Sequence, residues 1–468
     1  MHPQSIAVIG AGFSGTLLAL HLLRKCPPGT RVTLLERNRS FGRGQAYATG
    51  NAGHLLNVPA GRMSAFRDRP DDFLDWLRLR AASDATIAEP AAGAFVSRGL
   101  YGDYVRHLLN AEIARPHERH RLDLVRGDVV GLAETPEGLR LSLDRGRAVV
   151  ADLVVLAIGN FPPELPPGID PAALGSLWYR PDPWAPEALG GLDPDATVLL
   201  LGTGLTTVDA VVSLLDAGHR GPIHALSRRG LLPHAHAPGV PVPPPAGALP
   251  TSLSALTRLV RKEARRRVAQ GLPWQPLIDS LRPFTQDLWQ AMAPAEKARF
   301  LRHLRPWWDV HRHRMAGPVA VRIEAARAAG QFVVQAGRIR DVADRGDTVE
   351  LTFRARRDGA IRTLRAARLV NCAGPGCDYD RIADPLVRGL LDSGLGRADP
   401  LRLGLDVTAT CALRDRNGAI SRRLFAIGPV TKAAFWEMTA APDIRRQCET
   451  LADHIAGVLA ALPARDAA

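Results

Sequence analysis

A glycine-rich turn near the start of the chain has the residue types that hold a nucleotide pyrophosphate. An apolar run at 6–9 precedes it, and a segment rich in Leu and Ala at 16–23 follows it. In a strand–turn–helix unit such glycines permit the tight turn, the close approach of a pyrophosphate and close helix–strand packing. The helix N-terminus adds unpaired N–H groups and a positive dipole end. The turn residues predicted to contact the cofactor are Gly10, Gly12, Phe13, Ser14 and Gly15.

Glu36 ends the next predicted strand, at 31–35, and indicates which nucleotide the first turn holds. A carboxylate at this position can accept hydrogen bonds from both ribose hydroxyls, and it would repel a 2′-phosphate. The first turn therefore predicts the ADP half of FAD, with Glu36 and the adjacent Arg37 among the contacts.

The strand–turn–helix–strand pattern returns in the middle of the chain. The residue that matches Glu36 there is Ser227, and Arg228 and Arg229 follow it. A hydroxyl and two guanidinium groups suit a 2′-phosphate and predict NADPH, although they could also be ordinary members of an Arg-rich chain. Thr207 replaces the third glycine, which predicts a looser contact between helix and strand. The turn residues predicted to contact this second cofactor are Gly202, Gly204, Leu205, Thr206 and Thr207.

The segment 309–314, Asp-Val-His-Arg-His-Arg, is the most chemically loaded stretch outside the two turns. Two histidines two residues apart would share a face of a strand, but no third ligand with suitable spacing accompanies them, so we predict no metal site. We predict catalytic roles for His311 and Arg312 and a substrate-binding role for Arg314; the alternative is a solvated basic helix end. Lys432 and Arg445 are further candidates to bind an anionic substrate, with an exposed surface position as the alternative.

The two turns require two βαβ units, and they predict an α/β fold with two Rossmann-like dinucleotide-binding domains, as in glutathione-reductase-like flavoproteins. We assign residues 1–190 and 366–468 to an FAD-binding domain. The NADPH-binding domain, 191–365, is inserted into it and carries a helical insertion at about 250–328. Strands of a smaller sheet are predicted at 125–132, 139–143 and 148–156, a Pro-rich loop or lid at 233–250, and a closing helix at 444–462.

Composition excludes several classes of protein. Lys+Arg number 60 against 47 Asp+Glu, a net charge of +13, but no nucleic-acid recognition motif accompanies this excess. No apolar run reaches the roughly 18 residues that span a bilayer. Five cysteines in 468 residues make no disulfide framework, and we interpret Cys372 and Cys377 as ordinary turn residues. We expect a cytoplasmic protein.

Several further motifs, spread over nearly the whole chain, resemble those of bacterial FAD/NAD(P)-binding oxidoreductases. They are the stretches 41–47, 54–64, 70–77, 95–104, 227–230, 308–314 and 427–429 and the pair Trp436-Glu437. More distantly the layout is similar to flavin-dependent N-hydroxylating monooxygenases, including the aspartate-oxidising nitrosuccinate synthases. The resemblance implies that the loop 56–64 lies along the flavin and nicotinamide and that Val129 meets the adenine through its backbone. It also implies that the stretch before the last helix approaches the pyrimidine edge of the flavin. The residues concerned are Leu56, Asn57, Met63, Ser64, Val129, Gly159, Gly428 and Trp436.

The chemistry expected from this pattern begins with hydride transfer from NADPH to FAD. In the monooxygenase interpretation, reduced flavin takes up O2 as a C4a-hydroperoxide and N-hydroxylates a small, amino-acid-like substrate. One form of this hypothesis gives the substrate a negative charge. Asn57 would then be a catalytic residue that hydrogen-bonds the peroxide or the nicotinamide amide. The alternatives are a reductase, oxidase or dehydrogenase that passes electrons to another acceptor, and a flavin-bound regulatory or assembly protein without turnover, because a fold does not fix its chemistry.

Overall fold

The computed structural model describes residues 4–85, 87, 90–115, 121–166, 169–170, 177–237, 242–243, 247 and 249–461. The chain divides into two compact units. The first comprises Met1–Gly50, Val58–Phe161 and Cys377–Ala468, and the second comprises Asn51–Asn57 and Pro162–Gly376. None of the helices in the described part of the chain is long and apolar enough to cross a lipid bilayer.

The strands are numbered in chain order. They are β1 (Ser5–Ile9), β2 (Arg31–Glu36), β3 (Arg121–Arg126), β4 (Val129–Thr135), β5 (Gly138–Leu143), β6 (Ala148–Ala151), β7 (Leu153–Leu156), β8 (Tyr179–Arg180), β9 (Val198–Leu201), β10 (Ile223–Ser227), β11 (Phe332–Asp344), β12 (Val349–Ala355), β13 (Ile361–Ala366), β14 (Arg368–Asn371), β15 (Ala412–Arg414) and β16 (Ile420–Ala426).

The α-helices are likewise numbered in chain order. They are α1 (Phe13–Lys25), α2 (Gly44–Tyr47), α3 (Asp72–Ser83), α4 (Arg98–Ile113), α5 (Leu205–Asp216), α6 (Leu253–Ala269), α7 (Gln275–Ser280), α8 (Thr285–Ala291), α9 (Pro294–Arg299), α10 (Arg305–Arg312), α11 (Gly317–Ala328), α12 (Pro385–Asp392) and α13 (Ala441–Ala461). A π-helical turn, Phe300–Leu304, lies between α9 and α10.

The first unit is built on a six-stranded sheet of order β15-β16-β7-β1-β2-β3. All neighbouring strands pair in parallel except β15, which pairs with β16 in antiparallel fashion. β1 and β7 are short apolar runs whose residues are almost all buried, as expected for parallel strands covered on both faces. A separate three-stranded sheet has the order β4-β5-β6. Helix α1 packs against the closing helix α13.

The second unit contains a seven-stranded sheet of order β13-β12-β11-β10-β9-β14-β8. The strands from β11 to β8 pair in parallel, and β12 and β13 extend the sheet as an antiparallel hairpin. Its core contains Trp178, Tyr179, Leu199, Phe353 and Leu369. Helices α6 to α11 form the predicted helical insertion between β10 and β11.

The α/β fold with two dinucleotide-binding units, the second inserted into the first, is confirmed. The boundaries between the units differ from those assigned from sequence, because β8 pairs with β14 in the second sheet and so moves residues after Phe161 into the second unit. Strand β3 also differs from expectation: it pairs with β2 in the large sheet and not with the small one. Part of the predicted loop at 233–250, namely residues 238–241, 244–246 and 248, lies outside the described residues.

Asp384 provides a test of the first unit's stability. It caps α12, where its carboxylate accepts hydrogen bonds from the backbone N–H groups of Leu386 (3.1 Å) and Val387 (3.3 Å), and it also pairs with Arg37 (3.0 Å). We expect Asp384→Ala to lower the free energy of unfolding by roughly 1–2 kcal/mol, the usual cost of removing such a cap. Urea unfolding measures the change. Asp453→Ala, which removes an exposed partner of Lys25, is the control and should cost about 1 kcal/mol or less. Equal losses in the two variants would contradict the capping role.

Candidate functional site

The first glycine turn connects β1 to α1 and leaves no room for side chains at two of its glycines. Gly10 has a φ of 101°, and a Cβ there would lie under 3.0 Å from the carbonyl oxygen of Ala157, at the exit of β7. A Cβ at Gly15 would lie under 3.0 Å from the carbonyl oxygen of Gly10. Gly12 caps α1 without a side-chain hydrogen bond, and no acidic residue lies in the first helical turn. The N–H groups of that turn therefore face no competing anion from the helix itself.

Glu36 is buried at the end of β2, and its hydrogen bonds limit what else it can hold. One carboxylate oxygen, Oε2, accepts the N–H of Ala11 in the glycine turn at 2.8 Å. The other, Oε1, accepts the backbone N–H of Asn38 at 2.9 Å and its side-chain amide at 3.1 Å. Since each carboxylate oxygen has about two acceptor positions, this arrangement leaves one position, on Oε2, for a ribose hydroxyl.

The C-terminal part of the chain completes the surroundings of the first turn within the same unit. Gly428 has a φ of 79°, and a Cβ there would lie 2.6 Å from Ser14 Oγ. Its N–H donates to Gln447 Oε1 at 2.8 Å, and its carbonyl accepts the hydroxyl of Thr431 at 2.8 Å. The structure therefore brings Gly428 and Ser14 together, and it uses the backbone polar groups of Gly428 inside the protein.

Other predicted cofactor residues of this unit are held by local contacts. Phe13 packs on Tyr47 and Tyr101, with ring centroids 5.9 and 5.7 Å away. Arg37 pairs with Asp128 at 3.2 Å and with Asp384. The remaining members are buried except Gly159, which has a φ of 72° and open space at its Cβ position. The buried ones are Met63, Ser64, Val129 and Trp436.

Arg445 and Lys432, for which an exposed surface position was the alternative, are both partly buried. The Arg445 guanidinium donates to the carbonyl of Ser64 at 2.6 Å, so it fastens the loop that carries Met63 and Ser64. The Lys432 ammonium lies 5.3 Å from the ring centre of Trp436, within the range of a cation–π contact. The alternative of an exposed position is therefore wrong for both residues.

The second glycine turn connects β9 to α5 and repeats the geometry of the first with one difference. Gly202 has a φ of 107°, and a Cβ there would lie under 3.0 Å from the carbonyl oxygen of Cys372. Gly204 caps α5 with open space around its Cβ position and without a side-chain hydrogen bond. Thr207 is fully buried and donates its hydroxyl to the carbonyl of Gly202 at 2.9 Å. A side chain thus fits where Gly15 has no room, in agreement with the predicted looser contact.

Ser227 uses its hydroxyl to hold the loop that follows β10. The N–H of Gly230 donates to Ser227 Oγ at 2.9 Å. Thr203 donates its hydroxyl to the carbonyl of Leu231 at 2.6 Å, so the remaining contact of 2.9 Å must be Ser227 Oγ–H donating to Thr203 Oγ1. This hydroxyl chain leaves Ser227 no free donor for a phosphate. The positive charge remains with Arg228, which is exposed, and with Arg229, whose guanidinium lies 5.9 Å from the ring centre of Trp307.

The segment 309–314 lies on the last turn of α10 and just after it, so the strand geometry considered for a histidine pair is wrong. Arg312 is 8% exposed and Arg314 is 2% exposed, which also makes the alternative of a solvated basic helix end wrong for these two residues. His311 is partly exposed, and its Nδ1 lies 2.7 Å from the carbonyl oxygen of Trp307.

Arg314 is the buried cation of this segment. One of its terminal amino groups donates to Asp279, and its guanidinium lies 6.0 Å from the ring centre of Trp274. Its Nε and its other terminal nitrogen are buried and have no hydrogen-bond partner among the described residues. Unpartnered N–H groups on a buried guanidinium are costly, and carboxylate oxygens are acceptors that suit them.

Two histidines that the sequence reasoning missed lie beside this cluster. His236 donates its Nε2–H to the carbonyl of Asn57 at 3.0 Å, and the ring of His234 lies 4.6 Å from that of His311 and 5.2 Å from that of Trp274. Burial lowers the pKa of both His234 and His236, with the Arg314 charge acting in the same direction. The signal was a His-Ala-His sequence at 234–236, hidden in a stretch assigned as a Pro-rich loop.

Among the described residues, no group of three or more His, Cys, Asp or Glu side chains is placed to hold a metal ion. None of the five cysteines forms a disulfide bond in the described part of the chain, and burial raises the pKa of the Cys372 thiol to about 12, as expected of a structural and unreactive residue.

Comparison with known proteins agrees with this geometry. Residues 7–161 match the model of an FAD-NAD(P)-binding family. The chain is 30% identical over 266 residues to an L-aspartate N-monooxygenase (nitrosuccinate-forming) from Streptomyces cremeus, a match that covers 48% of this chain and 39% of that protein. The chain therefore spans about two fifths of the length of this relative.

The fold is similar to that of amino-acid N-hydroxylases of known structure. The ornithine N-hydroxylase of Kutzneria sp. 744, solved with reduced FAD, NADP+ and L-ornithine, superposes with a TM-score of 0.66 at 14% identity, over 97% of this chain and 99% of that chain. L-Lysine 6-monooxygenase from Pseudomonas syringae gives a TM-score of 0.63 at 17% identity, over 98% and 99%. The predicted resemblance to FAD/NAD(P)-binding oxidoreductases, and more distantly to N-hydroxylating monooxygenases, is confirmed.

Proposed function

We propose that this chain is an FAD-dependent monooxygenase that oxidises NADPH and hydroxylates a nitrogen atom of a small, amino-acid-like substrate. The observation that carries the proposal is the contrast between two nucleotide turns in one chain. A buried carboxylate, Glu36, stands beside the first turn, and an exposed guanidinium, Arg228, stands beside the second. The first environment suits a nucleotide with a free 2′-hydroxyl and the second one with a 2′-phosphate.

The first unit is proposed to hold FAD. The uncapped N-terminus of α1 would bind the pyrophosphate, and the free acceptor position on Glu36 would bind one ribose hydroxyl. Because Phe13 packs on aromatic rings and Ser14 is buried beside Gly428, we expect their backbones and not their side chains to contact the cofactor. Bound flavin would supply hydride acceptance and oxygen activation there.

The second unit is proposed to hold NADPH. The N-terminus of α5 is uncapped and free of acidic residues, and the open space beside Gly204 admits a pyrophosphate. Since Ser227 is committed to the hydroxyl chain, recognition of the 2′-phosphate is assigned to Arg228 and Arg229. The overall reaction balances as R–NH2 + O2 + NADPH + H+ giving R–NHOH + H2O + NADP+.

The substrate is proposed to carry a carboxylate that Arg314 binds. Support comes from the two unpartnered N–H groups of this buried residue and from the aspartate, ornithine and lysine named for the similar proteins. Asn57, His311 and Arg312 keep the catalytic roles predicted for them, and Lys432 and Arg445 stay candidates for substrate contact. A reducing, cytoplasmic compartment belongs to the proposal and is supported by the five free cysteines.

The function is tested by mixing purified, FAD-loaded protein with NADPH under air and following NADPH loss, O2 uptake and peroxide release. We expect O2 uptake to rise when the correct amino acid is added, with hydroxylamine formed in proportion to NADPH consumed. NADPH loss that needs an artificial acceptor, or rapid peroxide release with every amino acid tested, would contradict the monooxygenase proposal. Failure of NADPH to reduce the flavin would contradict it entirely.

The coenzyme preference is tested with Arg228→Ala. Removing a guanidinium from a phosphate costs roughly 1.5–3 kcal/mol, so we expect kcat/KM for NADPH to fall about 10- to 150-fold while that for NADH changes little. Arg220→Ala is the matched control, because Arg220 is an exposed arginine of the same unit that pairs only with Asp195 among the described residues. Equal losses with NADPH and NADH in Arg228→Ala would sink this assignment.

The open space at Gly204 is tested with Gly204→Ala. The added methyl group meets no protein atom within 4 Å, so thermal stability should not change. The same methyl group would occupy the space assigned to the pyrophosphate, and NADP+ should bind at least about tenfold more weakly, a loss of roughly 1.4 kcal/mol. Calorimetric titration with NADP+ measures the effect, and unchanged affinity would place the nucleotide elsewhere.

A further inference from the structure

The segment Asn51–Asn57 belongs to the second unit, although the residues on both sides of it belong to the first. It is short and irregular, and it carries Asn57 at its end. Several of its contacts within the second unit are to α5, the same helix whose N-terminus forms the second glycine turn, and the His54 ring also lies 6.2 Å from that of Trp184.

His54 makes the central contact with α5. Its Nε2 lies 2.8 Å from Ser213 Oγ and 3.1 Å from the carbonyl oxygen of Asp209. Depending on the tautomer, the ring N–H donates to these oxygens or the Ser213 hydroxyl donates to the ring nitrogen. The side-chain amide of Asn51 donates to the same hydroxyl at 3.4 Å. The imidazole is 6% exposed, so these bonds form away from water.

Gly53 lies so close to α5 that a side chain would collide with it. A Cβ at Gly53 would be 2.8 Å from Asp216 Oδ2, 2.9 Å from Val212 Cγ1 and 3.0 Å from Arg322 Nη1. Asp216 and Arg322 are themselves an ion pair, which limits how far either can move. The absence of a side chain at Gly53 therefore sets the distance between the segment and the helix.

The helix residues that meet the segment are Asp209, Val212, Ser213 and Asp216. Their spacing of i, i+3, i+4 and i+7 places them on one face of α5. At the far end of the segment, the His236 ring donates to the carbonyl of Asn57 at 3.0 Å. One helix face thus contacts the segment at its middle, and one histidine binds its end.

We propose that this face of α5 is a seat that positions Asn57 for the reaction of the bound nicotinamide, with Gly53 and His54 as the positioning residues. The inference rests on the proposed function, because it gives Asn57 its catalytic role. The seat begins about 6 Å and ends about 17 Å along the helix from the proposed pyrophosphate site, at 1.5 Å per residue. A single rigid element therefore sets the position of both the nucleotide and Asn57.

The seat is tested first with Gly53→Val, using Gly50→Val as the matched control. A Cβ at Gly50 meets nothing within 4 Å, so the control should behave as wild type. The backbone N–H groups of Gly53 and His54 donate hydrogen bonds to Asn51. In Gly53→Val we expect these two amides to exchange with deuterium faster than in the wild type, as measured by mass spectrometry. NADP+ affinity should stay within about twofold, while flavin reduction by NADPH slows by roughly 10- to 100-fold, as a misplacement of about 1 Å produces.

His54→Leu and His54→Gln separate positioning from general stability. Leucine removes the hydrogen bonds to Ser213 and Asp209 and should reproduce both effects of Gly53→Val. Glutamine keeps an N–H donor and should restore part of the reduction rate without a change in NADP+ affinity. Ser213→Ala removes the partner from the helix side and should match His54→Leu in exchange and in rate.

Wild-type exchange at 51–57 and wild-type reduction rates in both Gly53→Val and His54→Leu would overturn the proposal. Weakened NADP+ binding in step with the reduction rate would also overturn it, because the variants would then disturb the glycine turn itself. Absence of flavin reduction in the wild type would overturn the proposed function and, with it, the catalytic role given to Asn57. The exchange data would still decide whether α5 holds the segment.

Discussion

The close passage of a glycine beside the carbonyl at the end of a neighbouring strand is the constraint on which both nucleotide turns depend. Gly10 passes the carbonyl of Ala157, and Gly202 passes that of Cys372, each with positive φ and without room for a Cβ. The strands β7 and β14 end just before these carbonyls, and each lies next to the strand that enters the turn. The same backbone geometry therefore brings the turn and the end of the neighbouring strand together in each unit.

The local part of this arrangement could be predicted from the sequence, because glycine spacing, short apolar runs and the residue that ends the second strand all lie within some 30 residues. Pairings between distant parts of the chain could not. β8 joins β14 across about 190 residues, and the segment Asn51–Asn57 joins α5 across about 160. Neither has a periodic pattern of its own, since one is two residues long and the other is irregular.

The candidate site was predicted best where charge alone decides and worst where burial decides. The contrast between Glu36 and Arg228 needs only the sign of a side chain at the end of a strand. The burial of Arg314, by contrast, depends on Asp279 and Trp274, which belong to the helical insertion and carry no signal that points to position 314. His236 was missed because prolines nearby favoured a loop, and a loop assignment says nothing about which carbonyl a side chain binds.

The hydroxyl chain from Gly230 through Ser227 and Thr203 to Leu231 has a consequence for the evolution of coenzyme choice. The Thr203 hydroxyl donates to the carbonyl of Leu231, so an acidic residue at 227 would bring an acceptor to a place where Thr203 offers no donor. A change of preference toward NADH by that route would require Thr203 to release Leu231 in the same event. A change of coenzyme at position 227 thus involves a linked set of residues, Ser227, Thr203 and Leu231.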